Sequence, residues 1–306
     1  MITNPTVFIL GAGASKPYGF PIGQELFNII VQKLGKRNWV DILNKIDVGD
    51  EDIKEFKNAL IFSGKSSIDS FLETRTEFIK LGKLCIALAL IPYENEGALF
   101  SLNTGESNWY RFLFSKLSLR REDFEDSKVS FLTFNYDRSL EHYLFNSIKN
   151  GFGISDDKSK EILNKLNIIH LHGQLGYLLW QDTTGFKRNY GPSVTNLIEL
   201  EKASESIKII YESIDNDPEF QKAKKLLSNA KNIHFLGFGY NDINLSRLGI
   251  DKLIDLIPHS KREVRGTSYK LGLAEQKDIM SRWNKIELCD SSYDVTAYLK
   301  NIVSFR

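Results

Sequence analysis

Cysteine is almost missing from this chain: Cys85 and Cys289 are the only two among 306 residues. Two thiolates cannot build a four-cysteine zinc module, and they give no sign of a disulfide framework. Both are expected to be reduced core residues. A surplus of charge is missing as well, because 40 Lys and Arg face 39 Asp and Glu, for a formal net charge of +1. That balance gives no global electrostatic reason to expect nucleic acid or an anionic membrane as a partner. No stretch approaches the roughly 18 uninterrupted apolar residues of a membrane span. The most apolar window, Leu81 to Pro92, is broken by Gly82 and Lys83 and reads as a buried amphipathic helix. The chain opens into a strand with no basic segment, apolar segment and small-residue cleavage site in front of it, so a soluble, cytoplasmic protein is expected. Internal repeats, low-complexity tracts and flexible linkers are absent from the sequence.

What the chain does have is a set of short apolar runs, each followed at once by glycine or small polar residues. Val7-Phe8-Ile9-Leu10 leads into Gly11-Ala12-Gly13-Ala14-Ser15, and Val129-Ser130-Phe131-Leu132 into Thr133-Phe134-Asn135-Tyr136-Asp137. Asn167-Ile168-Ile169 leads into His170-Leu171-His172-Gly173, and Asn232 to Leu236 into Gly237-Phe238-Gly239-Tyr240-Asn241-Asp242. Such runs read as buried strands, and in an open parallel sheet ligands bind beyond the carboxyl ends of the strands. Helical spacing predicts helices over Gly23–Leu34 behind Pro21, Asp52–Phe62, Ser67–Ile91, Trp109–Leu117, Tyr136–Lys149, Asn196–Tyr211, Glu219–Ala230, Leu273–Trp283 and Tyr293–Val303. Further strands are expected at Arg262–Arg265 and Lys285–Leu288, and a long loop or short hairpin at Leu178–Ser193. The expected fold is α/β, a Rossmann-like and mostly parallel sheet with helices on both faces. One domain spans 1–306, with 39–126 as an inserted helical subdomain between the first two motif-bearing strands.

Taken singly, the motifs have ordinary explanations. Gly11-x-Gly13 permits a tight turn and lets backbone N–H groups approach a pyrophosphate, but Lys16 stands where a third glycine of the dinucleotide fingerprint belongs, and no Lys-Ser/Thr pair forms a triphosphate loop. Lys16 alone reads as a solvated lysine. Asn135 alone reads as a turn former or cap, and His172 as a loop histidine held by backbone. His170 shares a strand face with His172, yet a metal would need a third ligand that the sequence does not identify, so no metal is expected. Asp137 fits either a ribose acceptor or the cap of the following helix, and Asp69 fits an early acidic residue in a helix capped by Ser67.

Together and in this order the motifs resemble the sirtuin-like NAD-binding family, in particular its bacterial branch of NAD-hydrolysing antiphage-defence proteins. The matching positions are Gly11 to Ser15, Gly19-Phe20-Pro21, Asn135 with Asp137, His172 with Gly173, and Gly237 to Asp242. The resemblance implies Asn135 and His172 as catalytic residues. It implies Gly11, Ala12, Gly13, Ser15, Pro21, Asp137, Gly237, Phe238, Gly239 and Asn241 as the NAD+ site. The implied reaction is cleavage of the nicotinamide–ribose bond to nicotinamide and ADP-ribose, depleting NAD+ in defence. Deacylating relatives carry a four-cysteine zinc module that this chain cannot build, which turns the expectation from deacylation to NAD+ hydrolysis. The implied partners are NAD+ itself, further copies in a homo-oligomer, and a trigger such as an ATPase or helicase, an Argonaute-like protein or a phage component. A module that senses NAD+ or ADP-ribose without cleaving it, or a scaffold subunit, is the alternative.

Overall fold

The computed structural model describes residues 2–101, 108–117, 127–209, 217–251 and 262–305. Six strands form one all-parallel sheet: β1 (Thr6–Leu10), β2 (Val129–Thr133), β3 (Asn167–His170), β4 (Asn232–Leu236), β5 (Glu263–Gly266) and β6 (Glu287–Leu288). Their spatial order is β3-β2-β1-β4-β5-β6. The α/β, Rossmann-like architecture expected from the sequence is therefore the one observed. Each strand starts within two residues of its expected position.

The helices are α1 (Ala12–Ser15), α2 (Gly23–Lys33), α3 (Arg37–Asn44), α4 (Asp50–Phe62), α5 (Ile68–Leu72), α6 (Ile79–Leu90), α7 (Glu96–Leu99) and α8 (Trp109–Leu117). After β2 come α9 (Ser139–Phe152), α10 (Asp156–Leu163), α11 (Leu197–Glu205), α12 (Pro218–Asn229), α13 (Asp242–Leu248), α14 (Leu273–Arg282) and α15 (Val295–Asn301). None among the described residues is long and apolar enough to cross a membrane. The central strands are buried on both faces, which is why they read as continuous apolar runs. Along β1, Phe8 and Leu10 enter one core while Val7 and Ile9 enter the other. The first core also takes buried residues from α2 to α6, α8, α9 and α15, so the described helices of segment 39–126 share it with the sheet. On the opposite face, α12, α13 and α14 contribute Phe220, Leu227, Leu245 and Ile279.

One expected helix, Ser67–Ile91, is broken. Ser67 caps its first half as read, its Oγ accepting from Ser70 N–H at 3.2 Å, but α5 ends at Leu72 and a 3-10 turn at Thr76–Phe78 precedes α6. The break lets Phe56, Phe71 and Phe78 meet with ring centroids 5.3 to 6.0 Å apart, and the Arg75 guanidinium sits 4.8 Å from the Phe78 ring centre. Aromatic burial outweighs local helix propensity here. The helix expected at Asn196–Tyr211 ends at Glu205, and positions 210–211 lie outside the described residues.

The loop between β3 and α11 folds back on itself through Tyr177 and Arg188, with Arg188 N–H donating to the Tyr177 carbonyl at 2.9 Å. A fully buried ion cluster anchors it. The Glu94 carboxylate accepts from Arg138 Nε at 2.8 Å and Nη2 at 2.6 Å, and from Arg188 Nη1 at 2.6 Å. Arg138 in turn donates to the carbonyls of Arg188 and Asn189 at 3.0 and 2.9 Å. Removing one member of such a cluster strands the opposite charge in the core. Glu94→Ala is expected to lower unfolding free energy by about 3–5 kcal/mol, measured by urea denaturation. A loss within about 0.5 kcal/mol, the range of ordinary surface substitutions, would show that the cluster holds nothing.

On β4, His234 is 2% exposed, lies against the Phe8 ring and meets the Tyr298 hydroxyl at 2.9 Å. Burial lowers its pKa to about 4, helped by Arg265. Below its unfolded value of about 6.5 the unfolded chain takes up a proton that the folded chain refuses. Stability therefore falls on acidification from about pH 6.5 to about pH 4, by about 3 kcal/mol from this residue. His234→Gln is expected to flatten that acid limb in thermal unfolding followed by circular dichroism. An unchanged limb would assign it to other groups.

Candidate active site

The strand order reverses between β1 and β4, which opens a crevice beyond their carboxyl ends. Two glycine loops fill the floor of that crevice backbone to backbone. Gly11 N–H donates to the Leu236 carbonyl at 3.0 Å, and Gly13 N–H to the Gly237 carbonyl at 2.9 Å. A Cβ on Gly11 would lie 2.6 Å from the Gly237 carbonyl oxygen, and one on Gly13 would lie 2.8 Å from it. Gly237 itself has φ +56°, a conformation glycine adopts without the Cβ penalty. The sequence assigns the Gly11–Ser15 backbone to a pyrophosphate. In the structure the N–H groups of Gly11 and Gly13 are committed to the β4 loop, and Ala12 with the Ser15 side chain faces the crevice. From below, the Trp109 indole N–H of α8 donates to the Ala14 carbonyl at 2.7 Å.

Asn135 is held on every side but one. Its backbone N–H donates to Thr133 Oγ1 at 3.0 Å, and its carbonyl faces His170 Nδ1 at 3.0 Å. Its side-chain amide reaches the Gly11 carbonyl and Ser15 Oγ, both at 3.0 Å. A carbonyl only accepts, so the atom facing Gly11 is the NH2 group and the orientation of the amide is fixed. Oδ1 receives no hydrogen bond from a described residue, and Asn135 lines the cavity. The Ser15 hydroxyl in turn donates to Asp137 Oδ2 at 2.7 Å. Asp137 Oδ1 accepts from both the N–H of Ser139, at 3.1 Å, and its hydroxyl. Burial raises the Asp137 pKa against these hydrogen bonds from Ser139 and Ser15. Asp137 stands one residue before the cap position, Arg138, and its two oxygens accept from the first N–H of α9 and from Ser15.

His172 is 5% exposed, edge-on to the Phe134 ring at 4.9 Å, and its Nε2 is buried without a hydrogen-bond partner. Burial lowers its pKa to about 3, with a further push from Arg247, so the ring is neutral at ordinary pH. Gly173 follows with φ +67°, where the chain passes against Ser206.

These groups meet in a cavity of about 400 Å³ lined by Gly11, Ala12, Ser15, Pro21, Asn135, Asp137, His172, Phe238, Gly239 and Asn241 among others. Gly13 and Gly237 instead line a second cavity of about 640 Å³ that shares Ala12, Gly23, Phe238 and Gly239 with the first. Both volumes fall within the roughly 300–1,000 Å³ of small-molecule sites. Phe238 packs against Phe134 and Phe235, each at 5.3 Å, and so belongs to the core as well as to both cavities. The Asn241 side chain caps α13, accepting from Ile243 and Asn244 N–H at 3.0 and 3.2 Å. Lys16 pairs with Glu25 on the surface.

Four groups without a functional signal in the sequence join the larger assembly. Asp69 reads as a helix-start acid, yet it lines the cavity and accepts the Tyr136 hydroxyl hydrogen bond. Glu73, one helical turn on, also lines the cavity, 4.0 Å from Arg247 Nη1. Burial raises the pKa of both carboxyls. Asn244 Oδ1 and Arg247 Nη1 are buried without hydrogen-bond partners. The i,i+4 spacing of Asp69 and Glu73 is the one signal that places them on a common face. Among the described residues no group of three His, Cys, Asp or Glu side chains is placed to hold a metal ion. Cys85 is buried and Cys289 half-buried, both free. Compared with known proteins, the chain matches no family model and no curated sequence.

The relay from Asn135 through Ser15 to Asp137 is expected to matter for stability as well as for the site. Ser15→Ala leaves the Asn135 amide one acceptor short and Asp137 one donor short, at a cost of about 1–3 kcal/mol in urea unfolding. No loss at all would mean that water substitutes for the hydroxyl.

Proposed function

We propose that the protein is an NAD+ glycohydrolase that breaks the bond between nicotinamide and the anomeric carbon of its ribose. The observation that carries the proposal is the pairing, in one cavity at the switch point, of a rigidly oriented amide with a free Oδ1 and a neutral buried imidazole. The resemblance of the motifs to the sirtuin-like family points to the same two residues.

The two adjoining cavities suit the two halves of a dinucleotide, with the Ala12 and Gly239 backbone at their junction. Asp69 and Glu73 suit a cationic pyridinium, whose charge relieves the burial of their carboxyl groups. As the C–N bond breaks, its electron pair moves to the ring nitrogen and nicotinamide leaves neutral. The ribose passes through an oxocarbenium-like state, as in other glycosidic cleavages. Asn135 Oδ1 accepts from a ribose hydroxyl or from the attacking water. His172, already unprotonated, takes the proton that the water loses on bonding to the anomeric carbon. A pKa of about 3 makes it a weak base in the empty site. The negative pyrophosphate of a bound dinucleotide raises that value and opposes Arg247.

The resemblance extends the reading to NAD+ depletion in bacterial defence against phage, with assembly or a partner protein as trigger. Incubating the full chain with NAD+ is expected to release nicotinamide and ADP-ribose, resolved by chromatography from a cyclised product. General-base catalysis is typically worth about 10²–10⁴-fold, so His172→Ala is expected to lower turnover by at least about 100-fold. Asn135→Ala should do likewise with the fold intact. Full turnover in both variants would overturn the assignment of these residues, and NAD+ binding that never leads to cleavage would make the protein a sensor.

A further inference from the structure

His170 lies beside the site and takes no part in the chemistry above. Its side chain is 8% exposed and that of its partner Glu141, on α9, is 4% exposed. Nδ1 faces the Asn135 carbonyl at 3.0 Å, and Nε2 faces Glu141 Oε1 in a short hydrogen bond. A carbonyl oxygen can only accept, so Nδ1 carries a hydrogen in this geometry. Donation from Nε2 to the Glu141 carboxylate as well makes the imidazolium the form that satisfies both partners. Burial alone would lower the His170 pKa, but the charge and hydrogen bond of Glu141, the Asn135 carbonyl and the charge of Asp137 together raise it.

The register of the sheet explains the contact. His170 ends β3 directly opposite Thr133, the last residue of β2, and Thr133 Oγ1 holds the Asn135 N–H while His170 holds the Asn135 carbonyl. Two neighbouring strand ends thus grip both peptide groups of Asn135. The side chain, once gripped, has Gly11 and Ser15 within reach for its NH2 group.

We infer that the His170–Glu141 pair is a positioning device that keeps Asn135 Oδ1 aimed into the cavity, and that it releases Asn135 when the imidazolium loses its proton. The carboxylate is the stronger acceptor, so the neutral ring keeps its hydrogen on Nε2 and gives up the one on Nδ1. A lone pair then faces the Asn135 carbonyl, and an attraction becomes a repulsion. The charged groups bearing on the ring are Glu141 from α9 and Asp137 from the β2–α9 turn. Both favour the charged form, so release comes on the alkaline side of the ordinary histidine value. The inference rests on the reading of Asn135 as the residue that binds the ribose or its attacking water.

The test follows the His170 ring nitrogens and the Asn135 side-chain amide by NMR in the full chain from about pH 6 to about pH 10, alongside NAD+ turnover. His170→Gln and Asn135→Asp assign the two sets of signals. The ring is expected to be doubly protonated at neutral pH, and the Asn135 amide signals to shift with the same midpoint as the ring. Turnover should fall through that midpoint in kcat, with KM changed less than about two-fold, as expected for a group that aligns rather than binds. Glu141→Gln keeps the shape and a hydrogen bond, and is expected to move the midpoint at least about one pH unit toward acid in ring and amide alike. A ring already neutral at pH 7 in the unsubstituted chain, an amide that does not follow the ring, or an unmoved midpoint in Glu141→Gln would each overturn the inference. Coupled ring and amide signals without NAD+ cleavage would uphold the positioning device and reject the hydrolase. Cleavage without coupling would do the reverse.

Discussion

The contact between the β1 and β4 loops, made of backbone alone, is the constraint on which the rest of the site depends. Gly13 N–H on the Gly237 carbonyl and Gly11 N–H on the Leu236 carbonyl leave no room for a Cβ on Gly11, Gly13 or Gly237, so three glycines are fixed by packing before any ligand is considered. The contact divides the crevice at the sheet's switch point into two cavities that share Ala12, Gly23, Phe238 and Gly239. It also places Ser15, at the end of the one-turn helix α1, over the β2 end, where the Asn135 amide reaches it. A looser junction would part the Gly11 carbonyl and Ser15 hydroxyl from that amide, and the orientation of Asn135 would be lost with them. Glycine's entropic cost in the unfolded chain is the penalty for this closeness.

A second organising element is the connection from β2 to α9. Within seven residues, Asn135 binds the β1 loop, Tyr136 binds Asp69 of α5, and Asp137 binds Ser15. Arg138 binds Glu94 and the carbonyls of the β3–α11 loop, Ser139 meets Tyr110 of α8, and Glu141 binds His170 of β3. The β1 loop, α5, α8, β3 and the β3–α11 loop are all tied to this one stretch. Its buried charges are compensated in different ways: Glu94 by two guanidinium groups, Glu141 by an imidazolium, and Asp137 by hydroxyl and amide donors alone. The last is the weakest compensation, and accordingly burial still dominates the Asp137 carboxyl and raises its pKa. Buried polar networks of this kind contribute little net stability, but they define a single geometry by making every partial break costly.

Much of this was legible in the sequence, for a physical reason. Strands buried on both faces leave apolar runs, and the residues just after them fall at the one edge of the sheet where ligands bind, so the strand ends that line the cavity are legible by position, while the choice of Asn135 and His172 among their residues comes from the resemblance. The split of Ser67–Ile91 into two helices is not legible. It depends on Phe56 meeting Phe71 and Phe78 from another helix, and nothing local to the segment records that partner. Asp69 illustrates the same limit. Its place near the start of a Ser-capped helix was read correctly, while its approach to Tyr136 required a fold to bring α5 against the β2 end. The glycine pattern was legible as a tight loop, but whether its N–H groups face a ligand or another loop is decided by β4, more than 200 residues away in sequence.

His170 and His172 stand two residues apart, at the end of β3 and just beyond it, and their surroundings push their proton affinities in opposite directions. His172 has an aromatic edge, an arginine and no carboxylate at hydrogen-bond distance, so burial wins and the ring is neutral. His170 has a carboxylate on one nitrogen and a carbonyl on the other, so charge wins over the same burial. Strand alternation would put both rings on one face, but β3 ends at His170, and the chain beyond it carries His172 to the Phe134 ring while His170 meets Glu141 of α9. Environments that push the proton affinities of paired groups apart are how one fold supplies a base and a charge at the same pH. Here the neutral ring lines the cavity while its neighbour faces the backbone carbonyl of Asn135, the residue whose amide is held by Gly11 and Ser15. The end of β3 thus separates two histidines of opposite proton affinity, and the Glu141 carboxylate on the adjacent helix is what makes them differ.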